Sequence, residues 1–70
     1  MKTISNTVRK LRKNIKLTQE ELADKVGVSR QTIIAMEKGD YTPSVYLALK
    51  LARFFRLKVE KIFRLSKSWW

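Results

Sequence analysis

The sequence predicts an all-α domain of five short helices, with a small two-stranded sheet formed by the two ends of the chain. Apolar residues recur three and four positions apart in several segments, which is the spacing of a helix with one buried face. Residues that cap helix N-termini precede several of these segments, and Gly27, Gly39 and Pro43 interrupt them. These features predict short helices separated by tight turns.

The first two helices are indicated by an apolar face and a capping motif. Near the N-terminus, the residues with the spacing of a buried helical face are Val8, Leu11 and Ile15. This first helix should end within residues 14–16. In the segment LTQEEL, Thr18 and Glu21 have the spacing of a capping box, which begins a second helix. Gly27 is expected to end that helix in a left-handed conformation.

The fourth helix follows the only proline of the chain. Thr42 or Ser44 is expected to cap it, and Pro43 suits its first turn. Its inner face is predicted from apolar spacing to be Val45, Ala48, Leu49, Ala52 and Phe55. Three neighbours would either widen the core or form a self-association face, and the sequence leaves both open: Tyr46, Leu47 and Phe54. A short fifth helix is expected at about residues 59–63.

The two ends of the chain have strand character. An extended strand near the C-terminus would carry on one side Phe63, Leu65, Lys67 and Trp69. Thr3 and Ile4 suit a strand as well. Because a lone two-stranded ribbon is marginal in water, we expect the ends to pair as an antiparallel sheet supported by helix five and a second subunit. The predicted dimer interface is Phe63, Leu65, Trp69 and Trp70. A floppy tail and a membrane-interface anchor are the alternatives for the tryptophans.

Length and composition restrict the class of protein. The chain has 70 residues, so we expect a single domain over residues 1–70. It has no Cys and no His, so disulfides and the usual zinc ligands are excluded, and we expect no metal and no cofactor. No segment resembles a signal peptide or approaches the ~20 apolar residues of a membrane span, which favours a soluble, cytoplasmic protein. Capping and the helix dipole explain Glu20 and Glu21, and the sequence contains no His, Cys or Ser nucleophile constellation, so we do not expect an enzyme.

Positive charge is the strongest compositional signal. Sixteen Lys and Arg against six Asp and Glu give a formal net charge of +10. Residues 1–16 contain six cations and no acid, and residues 50–70 contain seven cations and one acid. A small domain this basic usually binds a polyanion, and nucleic acid is favoured over an anionic membrane surface. A solvated surface that only keeps the protein soluble is the alternative.

Residues 18–38 combine two capped helices with a tight turn. Ser29 is a good N-cap for a third helix, and Ile33 with Met36 forms its core face. Two such helices around a turn at Gly27 constitute a helix-turn-helix. The residues left on the outer face of the third helix are Arg30, Gln31, Ile34 and Ala35. Arg can bond bidentately to guanine and Gln to adenine, so this helix is predicted to enter a major groove.

The stretch LTQEELADKVGVSRQTIIAMEKGDYTPS, with LALKLARFF and VEKIF after it, closely resembles the Cro/repressor, or Xre, family of helix-turn-helix proteins from phage and bacteria. The resemblance covers about residues 8–63, and it matches the cap, the turn, the recognition helix and the following loop in order and spacing. It implies a five-helix, lambda-repressor-like domain that binds operator DNA, usually as a dimer.

The resemblance also implies roles for individual residues. Gln19 would contact a phosphate and support the recognition helix, while Arg30 and Gln31 would contact bases. The full set of implied DNA contacts is Gln19, Ser29, Arg30, Gln31, Thr32, Ile34, Ala35, Lys38, Tyr41 and Thr42. Arg12 and Glu37 match an Arg and a Glu that are paired in several family members.

The chain departs from the family pattern at four positions. Asp40 replaces a residue that is often basic, and Ile34 stands where a small polar residue is common. Lys16 and Arg56 stand where Gly or Asn is frequent. These departures affect individual contacts and not the motif.

We therefore expect a transcriptional regulator, a dimeric repressor that binds a palindromic operator through the recognition helix, residues 29–38. Its cations would supply sequence-independent affinity, and it would associate with the nucleoid. No membrane partner and no small-molecule effector are expected. An antitoxin or a restriction-system controller of the same fold is one alternative. A protein-interaction module that does not bind DNA is another.

Overall fold

A computed structural model describes residues 4–65 of the chain, which form five helices and two short strands. In chain order they are β1 (Ile4–Asn6), α1 (Val8–Asn14), α2 (Gln19–Val26), α3 (Arg30–Glu37), α4 (Val45–Phe55), α5 (Val59–Ile62) and β2 (Phe63–Leu65). The predicted fold class, an all-α domain with a small terminal sheet, is confirmed.

Side-chain caps define where three of the helices begin. At the start of α2, Thr18 accepts a hydrogen bond from the amide of Glu21, and the Glu21 carboxylate accepts one from the amide of Thr18 at 2.8 Å. Ser29 and Ser44 cap α3 and α4 by accepting a hydrogen bond from the amide three residues further on. Because Ser44 is the cap, Pro43 lies before α4, and the expectation that it belongs to the first turn is wrong.

The hydrophobic core lies where α2, α3 and α4 meet, with α1 and α5 completing it. Helix α2 packs on both α3 and α4, and α4 packs on α5. The buried residues of this core are Val8, Leu22, Ala23, Val26, Ile33, Met36, Leu47, Leu51, Ala52 and Ile62. Ile33 and Met36 therefore form the inner face of α3, as the sequence predicts.

The buried face of α4 agrees with the predicted one only in part. Ala52 is buried and Phe55 packs against the core, as expected. Leu47 and Leu51 are buried, whereas Val45 and Leu49 are 76% and 56% exposed. Apolar residues occupy nearly every side of this helix, so its sequence spacing is compatible with more than one buried face. Of the two remaining residues that the sequence left open, Phe54 packs half-buried against the core and Tyr46 is exposed.

Two helix ends also differ from expectation. Ile15 lies just beyond α1 and is 52% exposed, so it does not belong to the buried face of that helix. The chain turns away after it because Lys16 has a φ of 59°, in the left-handed region. Helix α5 ends at Ile62, one residue earlier than expected, because Phe63 is extended and begins β2.

The strands β1 and β2 pair in the antiparallel direction, with Ile4 opposite Leu65 and Asn6 opposite Phe63. The Thr7 amide donates a hydrogen bond to the Ile62 carbonyl at 2.9 Å, which joins the ribbon to the ends of α1 and α5. The other residues predicted for this sheet and the dimer interface lie outside the described residues: Thr3, Lys67, Trp69 and Trp70.

Candidate nucleic-acid interface

A left-handed glycine makes the turn between α2 and α3. Gly27 has φ and ψ angles of 73° and 36°, a conformation that L side chains rarely adopt. The amide of Val28 donates to the carbonyl of Ala23 at 3.0 Å, and this bond closes the end of α2. Ala23 is buried, and its small side chain allows α2 and α3 to approach each other. The turn then delivers the chain to Ser29, where α3 begins.

The first turn of α3 presents its polar side chains to solvent. Arg30 and Gln31 are both exposed, and they directly follow the capping residue. The Ser29 hydroxyl lies 3.0 Å from the hydroxyl of Thr32 in addition to capping the helix. Ile33 is fully buried while Ile34 is half-buried, so the helix has an inner face and an accessible face. Two long hydrogen-bonding side chains therefore project from the tip of a helix whose opposite side is fixed in the core.

A buried ion pair holds the other end of α3. Arg12 Nε donates to Glu37 Oε2 at 2.6 Å, and a second guanidinium nitrogen donates to Glu37 Oε1 at 3.2 Å. The Arg12 and Glu37 side chains are only 9% and 5% exposed. Gln19 Nε2 also donates to Glu37 Oε1, at 3.1 Å, and Arg12 donates to the Leu17 carbonyl at 2.7 Å. This network joins α1, the start of α2 and the last turn of α3.

The network assigns Gln19 a structural contact. Both carboxylate oxygens of Glu37 accept hydrogen bonds, so this charge is satisfied although it lies in the last turn of α3. Gln19 is half-buried and stands in the first turn of α2. One of its amide hydrogens is directed at Glu37, which orients α2 and α3 relative to each other.

The residues predicted as contacts beyond α3 lie along one loop. Lys38 is exposed and is the C-cap of α3. Gly39 has a φ of 81°, and the Asp40 amide donates to the Ala35 carbonyl at 2.9 Å. Tyr41 is 40% exposed, and Thr42 is exposed. The structure thus places Lys38, Tyr41 and Thr42 on the same end of the recognition helix, opposite Arg30 and Gln31.

Sequence reasoning missed one residue that supports this interface. Asn6 Nδ2 donates to the carbonyl of Met36 at 2.9 Å, and Asn6 Oδ1 accepts from the amide of Val8 at 3.1 Å. A capping-type side chain directly ahead of the first apolar run is a helix-start signal that could have indicated its contact with Val8. Its contact with Met36 spans 30 residues, and no local pattern predicts it.

The structure also bears on the predicted dimer residues, on metal binding and on membrane-spanning helices. Of the proposed dimer residues, Phe63 is half-buried and Leu65 is 48% exposed, while Trp69 and Trp70 lie outside the described residues. Within residues 4–65, acidic side chains form no cluster that could hold a metal ion. Over the same range, no helix has the length and hydropathy needed to cross a membrane.

The geometry of α2, the glycine turn and α3 is that of a helix-turn-helix protein with an accessible recognition helix. A family model described as helix-turn-helix, HTH_3, matches residues 8–67. The chain therefore belongs to this family of Xre-type, DNA-binding transcriptional regulators.

Relatives and a solved structure agree with this assignment. The chain is 47% identical over 65 residues to the HTH-type transcriptional regulator YgzD of Bacillus subtilis, covering 93% of this chain and 98% of the relative. It is 68% identical over 47 residues to the HTH-type transcriptional regulator MJ0272 of Methanocaldococcus jannaschii, covering 67% of this chain and 71% of the relative. Its fold is similar to that of the restriction-modification controller protein C.AhdI from Aeromonas hydrophila, with a TM-score of 0.70, 31% identity, and coverage of 77% and 82% of the two chains.

Proposed function

We propose that this protein is a homodimeric repressor that binds a palindromic operator in double-stranded DNA through α3. The observation that carries the proposal is the exposure of Arg30 and Gln31 in the first turn of a helix that is fixed at both ends. These two side chains would hydrogen-bond to base edges in the major groove and supply the sequence preference. Bound over a promoter, the dimer would exclude polymerase by occupying the site.

Phosphate contacts would set the register of the protein on the duplex. Lys38 and the loop to Thr42 lie at the C-terminal end of α3, where they would meet one strand of the backbone. Gln19 would contact a phosphate with the amide hydrogen that is not directed at Glu37. The net charge of +10 would add sequence-independent affinity through counterion release.

The distribution of exposed apolar residues supports a dimer. Val45 and Leu49 on α4 are 76% and 56% exposed, and Leu65 on β2 is 48% exposed. An apolar groove joins the two elements, lined by Ile4, Thr42, Pro43, Val45, Ala48, Val59 and Phe63. A second copy of the chain would cover the apolar residues of this surface, with Phe63, Leu65, Trp69 and Trp70 in the interface. Two recognition helices would then stand about 34 Å apart and meet half-sites one helical turn apart.

The proposal includes a cytoplasmic location at the nucleoid and control by protein concentration, without a small-molecule effector. A restriction-system controller is a second candidate, which the structural similarity to C.AhdI favours. An antitoxin would use the same DNA contacts, and the neighbouring gene would distinguish these roles.

The DNA-binding part is tested by selecting bound duplexes from a random pool and measuring affinity on the best site. Arg30→Ala should cost about 1–3 kcal/mol on that site and relax the preference at one base position. Lys38→Ala should weaken binding to all sequences alike and reduce the salt slope by about one. An equal loss for every sequence with Arg30→Ala would reassign Arg30 to a phosphate. A wild-type protein without salt-dependent duplex binding would instead support a protein-interaction module.

The dimer is tested by mass in solution without DNA. Val45→Asp and deletion of residues 66–70 should each shift the protein to monomer and weaken operator binding. Ile15→Asp is the matched control, because Ile15 is 52% exposed and does not line the apolar groove. If the truncated chain still dimerises and binds with full affinity, the tail has no part in the interface.

A further inference from the structure

A cationic cleft lies beside the recognition helix, between α1 and the last turn of α3. Helix α1 contributes Arg9 and Lys13, which are four residues apart and therefore adjacent on the helix surface. Ile34 and Lys38 line the facing side. Neither Arg9 nor Lys13 is among the residues assigned to DNA above.

We propose that this cleft binds one backbone phosphate of the DNA duplex, with Arg9 and Lys13 as its ligands. The proposal rests on the proposed function, since it extends the DNA contact surface from α3 to α1. It makes α1 part of the interface as well as part of the scaffold.

The charge balance of the cleft favours an anion. Its lining contains the cations Arg9, Arg12, Lys13 and Lys38 and a single carboxylate, Glu37. Both oxygens of that carboxylate accept hydrogen bonds from Arg12 and Gln19, so its charge is compensated within the protein. Arg9 and Lys13 are exposed, so their charges face solvent at the rim. Arg12 compensates Glu37, so the positive charges that would hold an anion are those of Arg9 and Lys13 alone.

The position of the cleft selects a DNA phosphate as that anion. Ile34 and Lys38 belong to the helix that is proposed to enter the major groove, and the groove is bordered by the two phosphate backbones. A side chain that lies beside such a helix is within reach of the backbone that passes it. Arg binds phosphate through two parallel N–H groups, and Lys binds it as a point charge, so the pair suits one phosphodiester.

Helix α1 also provides the control for this assignment. Lys10 is an exposed cation on the same helix, and it does not line the cleft. Lys61 on α5 is likewise an exposed cation outside it. The double variants Arg9→Gln/Lys13→Gln and Lys10→Gln/Lys61→Gln therefore remove the same charge from the protein, but only the first removes it from the cleft.

The experiment measures duplex affinity against salt for both double variants on the site selected by the wild-type protein. The cleft variant should reduce the slope of log affinity against log salt by about 0.9 for each cleft, that is by about 1.8 for the proposed dimer, and leave the base preference unchanged. The control variant should keep the wild-type slope. Thermal unfolding checks that both variants remain folded, which we expect because all four side chains are exposed.

A duplex series with one neutral methylphosphonate at each backbone position identifies the phosphate. One position in each half-site should weaken binding by the wild-type protein and have no effect on the cleft variant, because the variant no longer contacts that phosphate. Equal slopes for the two double variants, or the same methylphosphonate profile for wild type and cleft variant, would overturn the cleft proposal while leaving operator binding intact. A wild-type protein that binds no duplex would overturn the proposed function, and the cleft proposal with it.

Discussion

The side-chain amide of Asn6 donates a hydrogen bond to the main-chain carbonyl of Met36 across 2.9 Å. Asn6 is the last residue of β1 and pairs with Phe63 of β2, whereas Met36 is in the last turn of the recognition helix. The side-chain oxygen of Asn6, Oδ1, accepts a hydrogen bond from the amide of Val8 at the start of α1. One side chain thus connects the terminal ribbon, which contains part of the proposed dimer interface, to α3.

Replacing Asn6 by Asp should destabilise the protein by about 1–3 kcal/mol. The variant keeps an acceptor for the Val8 amide but loses the donor to Met36, and it places a negative charge at the negative end of the α3 dipole. Urea unfolding measures the loss. Asn14→Asp is the control, because Asn14 is exposed at the end of α1. If both variants lose the same few tenths of a kcal/mol in free energy of unfolding, the Asn6–Met36 hydrogen bond does not stabilise the protein.

The Arg12–Glu37 pair should show strong coupling in a double-mutant cycle. Both side chains are almost fully buried, so removing one partner leaves the other charge uncompensated, which typically costs ~3–5 kcal/mol. Arg12→Met, Glu37→Gln and the double variant would be compared by urea unfolding. The exposed Glu21 and Lys25, four residues apart on α2, form a matched surface cycle that should give only about 0.3–0.5 kcal/mol. A buried cycle with no more coupling than the surface cycle would reject a structural role for the pair.

Two non-glycine residues with a left-handed backbone conformation are positions at which a substitution can stabilise the protein. Lys16 and Arg56 have φ angles of 59° and 58°, in the region where an L side chain costs roughly 1–2 kcal/mol. Replacing either one by Gly removes this cost, while the more flexible unfolded chain offsets about 0.4–1 kcal/mol of the gain. We expect each variant to unfold at a higher urea concentration, with a net gain of up to ~1 kcal/mol.

Lys10→Gly distinguishes relief of strain from a general effect of glycine. Lys10 lies inside α1, where glycine should cost about 1 kcal/mol. If Lys16→Gly and Arg56→Gly destabilise the protein as Lys10→Gly does, the left-handed residues store no strain.

The local features of this fold could be predicted from sequence because each depends on residues close together in the chain. The capping box of Thr18 and Glu21 spans three residues, and the left-handed turn depends on Gly27 alone. The ion pair of Arg12 and Glu37 is separated by 25 residues, so only the resemblance to a family pointed to it. The Asn6–Met36 hydrogen bond joins residues 30 positions apart and matches no sequence pattern.

The prediction of the buried face of α4 was partly wrong for a different reason. Val45 and Leu49 have the same helical spacing as Leu47 and Leu51, so periodicity cannot say which pair faces the core. Only packing against α2 and α5 decides it. Of the residues that sequence spacing assigned to the core, Ala52 is buried there, whereas Val45 and Leu49 lie on the surface that we propose a second subunit covers. An exposed apolar stripe of this kind is a candidate interaction surface.

The capping box of α2 should make stability depend on pH in the acid range. Hydrogen bonds from the backbone and side chain of Thr18 to the Glu21 carboxylate favour its charged form and hold the pKa of Glu21 below its ordinary value, and Lys25 adds to this effect. In the unfolded chain the pKa returns to about 4.3. The stabilising contribution is therefore complete above the unfolded pKa and is lost as the pH falls through the lower pKa of the folded state.

Glu21→Gln should consequently be less stable than the wild-type protein at neutral pH, and the two should converge on acidification, because Gln resembles the protonated carboxyl group. Urea unfolding at a series of pH values, at high salt to screen repulsion among the sixteen Lys and Arg residues, measures the difference. A stability difference that stays constant from neutral to strongly acid pH would show that the Glu21 charge has no part in capping α2.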